Sequence, residues 1–447
     1  MAHGRRPPEF GRLSIPRGPV VIAGTLINYQ AAEPVLRRLA EAAVTSTLFL
    51  PSRYHDFVKT RWADMGGLNL LPHEVLNAAA PFARLVHHVL EPMLAGPTFS
   101  DTYRFREWSR LAARSPAGRV LLAARATLPG TPRGAINAAL QRAVRPLLPR
   151  GVLPEEGAVL AVTRSDVRHL LCAGGLDVVS LMESWDHPPK APMGYPSRTA
   201  FVWNAATRDD WIEFQGGEDV RVAYPFKLRY ALESRVQSSA ADLILYPATF
   251  SARSDPTFFS AELALLEHLC RAARTADMRL LVKPKPNGLE GEFASLLARH
   301  PGVELAPYKD NDGSTGYFLD EDYNRQRLNL LARCALVVNL GTTFALDAAA
   351  AGIPVLQLRL DDATRFPLLS QADRWVHLQR HFLSRPELLC RIGEGDDVDA
   401  RLAEGLTSDG HRARIFSDHL RGWLAGAGGA SRAIDDIAGR LLQGTRS

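Results

Sequence analysis

Residues Val337–Leu360 read VVNLGTTFALDAAAAGIPVLQLRL. An apolar run ends at Asn339, and Gly341 and two threonines follow. Then comes a short Ala-rich segment holding one carboxylate, Asp347, and a second apolar run opens after Gly352 and Pro354. A continuous apolar run bounded by turn residues is the pattern of a strand buried on both faces, as in a parallel sheet. Ala348–Ala351 let a helix lie close on that sheet, Gly352 suits its C-terminal cap, and Pro354 prevents its continuation. The stretch therefore predicts strand, turn, short packed helix, strand.

The turn carries chemistry. A strand that delivers the chain to a helix N-terminus presents unpaired N–H groups and the positive end of the helix dipole. Gly341, Thr342 and Thr343 at that point form a candidate phosphate cradle. A threonine helix cap is the structural alternative, although a cap alone requires neither Gly341 nor a second threonine. Asp347 lies one turn further in, on the face of Thr343. A carboxylate there either accepts from a sugar or ribose hydroxyl or favours the helix dipole.

The same alternation extends outward. GPVVIAG (Gly18–Gly24) reads as a buried strand ending in a glycine turn, followed by helical spacing and then the strand-like STLFLPS. Residues from about 73 to 150 are Arg- and Ala-rich with long helical periods, the pattern of a helical insertion. Strand and helix patterns resume at Gly157, and a second series opens with DLILYPATF (Asp242–Phe250). The expected class is α/β, with two Rossmann-like domains facing across a cleft. The expected bounds are a basic tail at 1–17, a first domain at 18–238 carrying the insertion, and a second at 239–447 with the terminal helices.

Ligands of open α/β sheets bind beyond the carboxyl ends of the strands. Gly24, Thr25, Trp185, Trp203 and Asn204 are therefore candidates to line a cleft or hold an acceptor. MESWDHPP places Glu183, Asp186 and His187 after a strand, and any of the three is a candidate base for an acceptor hydroxyl. His187 before Pro188 equally suits a loop histidine bonded to backbone. VKPKPNG holds Lys283 and Lys285 between prolines that stiffen the backbone; both are candidates for a diphosphate, or for an outward-facing solvated turn.

Composition sets limits. The chain has 447 residues, 46% hydrophobic and 23% charged, an ordinary soluble balance. Net charge is +5 without a dense basic run, which suits an anionic substrate or an anionic membrane surface and argues against a nucleic-acid tail. No apolar run reaches about 18 residues, and no secretory signal opens the chain, so a cytoplasmic protein is expected, with peripheral contact at the inner face of the membrane. The four cysteines are far apart, which gives no disulfide framework and no zinc spacing. Neither a metal nor a cofactor is expected.

Three stretches in this order carry a resemblance: LMESWDHPPKAPMGYPSRTAFVWNAATRDDWIEFQG, RLLVKPKP and VVNLGTTFALDAAAAGIPVLQL. Across roughly residues 157 to 390 the chain resembles surface-polysaccharide glycosyltransferases of the GT-B fold. The wider group also resembles the CDP-glycerol glycerophosphotransferases and, more distantly, the UDP-N-acetylglucosamine 2-epimerases. The resemblance implies a nucleotide-activated donor in the second domain, its diphosphate at Gly341, Thr342 and Thr343 and its ribose or sugar near Asp347. A surface-glycan or lipid-linked acceptor would lie with the first domain. Where that group commonly has His-Pro, this chain has Lys285-Pro286, and a lysine is a poor acid or base near neutral pH unless its pKa is lowered. Glycosyl transfer is the expected activity, with the nucleotide sugar as substrate. Polyol-phosphate transfer and a non-catalytic nucleotide- or glycan-binding protein of a polysaccharide assembly complex are the alternatives.

Overall fold

The computed structural model describes residues 18–78, 114–127, 142–143, 157–162, 177–184, 188, 197, 199–234, 236, 242–253, 256–285, 291–306, 321–370, 381, 383–407, 411–425 and 429–444. The chain divides into two compact units, Met1–Phe226 with Ala427–Ser447, and Lys227–Gly426.

The first unit is built on strands β1 (Val20–Ile22), β2 (Ser46–Leu50), β3 (Leu68–Pro72), β4 (Ala158–Ala161), β5 (Asp177–Leu181), β6 (Thr199–Val202) and β7 (Asp219–Val222). They lie in the order β3-β2-β1-β4-β5-β6-β7, and every pairing is parallel. The central strands β1 and β4 are apolar along their whole length and buried on both faces, as parallel strands inside a sheet are. Val20, Val21 and Ile22 are fully buried. Strand order reverses between β1 and β4, which makes that point the topological switch of this sheet. Of the expected insertion, the helices Glu74–Ala78 and Pro116–Thr127 are described. Most of the rest of it and the basic tail lie outside the described residues.

The second unit holds β8 (Leu243–Pro247), β9 (Arg279–Lys283), β10 (Val303–Leu305), β11 (Leu336–Asn339), β12 (Val355–Leu360) and β13 (Cys390–Ile392). Their order is β10-β9-β8-β11-β12-β13, again all parallel, with the switch between β8 and β11. The class is thus α/β with two Rossmann-like units, and the quoted stretch supplies β11, a helix at Phe344–Ala351 and β12. Every residue of that helix is buried. Gly352 closes it in the left-handed region at φ 86°, its N–H donating to Ala348 and Ala349.

The last helix, Ala430–Gly444, belongs to the first unit, whereas the sequence pattern had placed the terminal helices with the second. Its apolar stripe Ala433, Ile437, Ala438 and Leu441 joins the core of Val21, Leu48 and Leu160. Arg440 bonds Asp177 at 2.7 Å and Thr199 at 3.1 Å, and Arg38 meets Asp435 at 2.6 Å. Helical periodicity announces a buried face but does not say which sheet receives it.

Candidate functional site

The switch point of the second unit is flanked by two chain segments, one after β8 and one after β11. Pro247 and Lys283 are register partners at the ends of β8 and β9, so these strands deliver their following residues to the same edge.

The turn after β11 is held from beneath. Asn339, fully buried, accepts from the Thr342 N–H at 3.1 Å and the Thr342 hydroxyl at 2.8 Å. Its amide donates to Gln357 at 2.6 Å, and Gln357 donates in turn to the carbonyls of Leu340 and Leu358. A buried amide pair with each polar atom matched is a rigid base for a turn. The expected pair of hydroxyl donors is thereby reduced, because a hydroxyl has one proton and that of Thr342 is directed to Asn339. Thr343 occupies the cap position of the helix yet makes no capping bond, and it is exposed. Among the described residues nothing accepts from the N–H groups of Phe344 and Ala345. The helix start is left uncapped.

Asp347 is 3% exposed and turned inward. One carboxylate oxygen accepts from the Tyr230 hydroxyl at 2.6 Å and the other from the Arg327 guanidinium. Its first partners are thus protein groups rather than an open space for a sugar hydroxyl. Arg327 stacks over the rings of Tyr230 and Phe344, at 5.4 and 5.2 Å. The ammonium of Lys283 lies 5.5 Å from the Phe344 ring centre and makes no hydrogen bond to a described residue. Burial, reinforced by the nearby Arg327 charge and opposed by Asp347, lowers its pKa to about 8. Lys285 is half-buried two residues beyond β9. Lys283, Arg327, the Gly341–Thr343 turn and Asp347 therefore form one cluster, with two cations against the first residue of an uncapped helix. Arg327 and Tyr230 carry no signal in the sequence, being 20 and 117 positions from the carboxylate they bind.

The segment after β8 is anchored by Glu262, a fully buried carboxylate on the helix Pro256–Thr275. It accepts from the Tyr246 hydroxyl at 2.8 Å and from the N–H groups of Thr249 at 2.7 Å and Phe250 at 2.9 Å. Burial outweighs these three donors and raises its pKa to about 7.

In the first unit, Thr25 caps the helix Leu26–Glu41, accepting from the Asn28 N–H, and its hydroxyl donates to Asn28 at 2.6 Å. Asn28 donates across the switch point to the Val162 carbonyl at 2.7 Å. Gly24 is half-buried beside this cap. Trp203, 1% exposed, donates from its indole to the Met182 carbonyl at 2.8 Å, and Asn204 forms a reciprocal capping box with Thr207. Both side chains are buried within the unit, which gives them fold-supporting contacts where a cleft lining was expected. Glu183 lies just past β5 and is largely buried. Trp185, Asp186 and His187 lie outside the described residues.

No family model and no curated protein matches the sequence. Among solved structures, the Arabidopsis thaliana glycosyltransferase UGT89C1 aligns with 95% of this chain and 99% of its own, at 13% identity and a TM-score of 0.48. A putative UDP-N-acetylglucosamine 2-epimerase from Listeria monocytogenes aligns over 95% of both chains at 14% identity and 0.46. The calicheamicin glycosyltransferase CalG4 aligns over 96% and 99% at 12% identity and 0.47. Among the described residues no helix is long and apolar enough to cross a membrane.

Proposed function

We propose that this chain is a glycosyltransferase whose second unit binds the diphosphate of a nucleotide-activated sugar. One observation carries the reading: Lys283 and Arg327 converge on Phe344, the first residue of a helix whose cap position has no side-chain cap. Uncapped N–H groups, a helix dipole, the Lys283 ammonium and the Arg327 guanidinium, whose charge is shared with Asp347, favour an anion over a neutral ligand. Thr343, exposed at the cap position, supplies a hydroxyl to the same anion, and Lys285 adds a cation at its rim.

In the reaction the acceptor hydroxyl oxygen bonds to the anomeric carbon as the bond from that carbon to the diphosphate breaks. The nucleotide diphosphate leaves with the electron pair, and the hydroxyl proton passes to a base. Lys283 and Arg327 stabilise the charge that grows on the leaving oxygen. Glu183, Asp186 and His187 are the candidate bases, with a surface glycan or lipid-linked sugar as acceptor. The basic balance of the chain supports peripheral contact with anionic lipid, which binding to anionic vesicles at low salt tests directly.

The replacement of His-Pro by Lys285-Pro286 favours a second reading, binding without turnover. A thermal-shift panel of UDP-, GDP-, CDP- and CMP-linked ligands, with Thr343→Ala and Lys283→Ala alongside, separates the possibilities. A nucleotide that raises the melting temperature of the wild type, and less that of both variants, supports the anion site. Sugar release from that ligand with a glycan acceptor supports transfer. Release of CMP from a CDP-polyol favours polyol-phosphate transfer, and stabilisation without turnover the binding protein. No shift with any ligand rejects the site.

A further inference from the structure

Two loops flank the switch point of the second unit, and they differ in what their backbone donors do. After β11 the helix start is uncapped. After β8 the N–H groups are taken: Ala248 donates to the Lys283 carbonyl, Thr249 and Phe250 to Glu262, and Ala252 to Glu292 at 2.9 Å. In doubly wound folds the loop after the first strand of the sheet is where backbone N–H groups usually meet phosphate. Here two carboxylates from within the unit hold those groups.

We propose that Glu262 is a positioning residue that serves as an internal anion. Its carboxylate fixes the loop Ala248–Ala252, removes it as a phosphate-binding loop, and so confines the ligand's phosphates to the turn after β11. The inference rests on the proposed nucleotide site for its second half only; the anchoring of the loop stands on the contacts themselves. A fully buried carboxylate is costly unless its lone pairs are filled, and here two backbone N–H groups and a phenol fill them. The groups facing it are Tyr246 from β8 and Thr249 and Phe250 from the loop, and no described side chain of opposite charge offsets it. Among the described residues the donors of the loop and of Tyr246 are its solvation. A protonated carboxyl has a hydroxyl on one oxygen and cannot accept from all three donors equally, so the grip on the loop depends on the ionised form. The pKa of about 7 puts that change in an accessible range.

The test is amide hydrogen exchange on the full-length protein, followed at Thr249 and Phe250 at pH 8 and pH 5.5 after correction for intrinsic exchange. Without ligand, both amides are expected to be protected at pH 8 and to exchange at least tenfold faster at pH 5.5; Glu262→Gln is expected to exchange fast at both. Equal protection at the two pH values in wild type overturns the anchor without need of any variant, which covers the case of a variant that fails to fold. UDP-glucose, whose diphosphate diester does not titrate in this range, is then added at pH 8. Added protection at Phe344 and Ala345, with none at Thr249 and Phe250, supports the confinement. Added protection at Thr249 and Phe250 in wild type overturns it. If UDP-glucose and the other nucleotide sugars of the panel protect neither loop, the nucleotide reading and the confinement fall together. The ligand-free result still decides the anchor.

Discussion

The Tyr230 hydroxyl donates to Asp347 at 2.6 Å, joining the segment that opens the second unit to the helix that follows β11. Val236 adds a second tie to the same helix through the Ala351 carbonyl at 3.2 Å. With Arg327 on the other oxygen, Asp347 is a buried counter-ion that sets the position of a site cation.

Removing the carboxylate therefore costs more than removing the phenol. Asp347→Ala leaves Arg327 buried without its counter-charge and is expected to destabilise the second unit by about 3–5 kcal/mol. Tyr230→Phe removes one hydrogen bond to a charged group, about 1.5–3 kcal/mol. Urea unfolding of the two variants ranks them, and a larger loss for Tyr230→Phe contradicts the counter-ion role.

Lys283 gives a pH signature. Its pKa is about 8 in the folded protein against 10.5 in an unfolded chain. Between these values the unfolded state holds a proton that the folded state lacks, so stability rises with pH across pH 8–10.5. Below pH 8 the charge must be carried in a half-buried position beside Arg327, at a cost. Lys283→Met is expected to flatten that slope and to be more stable than wild type at pH 7, while losing affinity for the anion. Denaturant midpoints at pH 7, 9 and 10 check the sign.

Glu262 gives the opposite signature. Its folded pKa of about 7 lies above the ordinary 4.5, so the folded state holds the extra proton between pH 4.5 and 7. This group's contribution to stability is full below pH 4.5 and is lost as pH rises to 7. Global stability and local grip thus move apart: acidification favours the fold while loosening the loop. Unfolding of wild type and Glu262→Gln at pH 5 and pH 7 should show a slope in the first that is absent in the second.

The Asn339–Gln357 pair predicts a coupled defect. Asn339→Leu strips the acceptor from the Thr342 N–H and hydroxyl and is expected to cost about 2–3 kcal/mol. Because the turn is then unsupported, nucleotide affinity should fall with stability. An Asn339→Leu protein that binds nucleotide as wild type does would separate the turn from the site.

The C-terminal helix is testable by a small addition. A Cβ at Gly444 would stand 2.8 Å from the Ala158 Cβ, on a central strand of the first sheet. Gly444→Ala is expected to destabilise the first unit by about 1–3 kcal/mol through overpacking. A melting temperature equal to wild type would show that the helix end yields.

The sequence by itself determined the elements. Buried parallel strands are apolar along their length, and a glycine, a cap and a proline bound the helices between them, so two Rossmann-like series could be read from neighbours in the chain. The turn at Gly341–Thr343 and Lys283 were legible for the same reason, each standing at the end of such a run. The tertiary structure alone decided what those residues meet. Asp347 binds Tyr230 and Arg327, Glu262 closes the loop after β8, Thr342 turns to Asn339, and the last helix returns to the first sheet. Local periodicity records which face of an element is buried. A polar group inside must find its partner wherever the fold brings a matching donor or acceptor, and that pairing leaves no pattern along the chain.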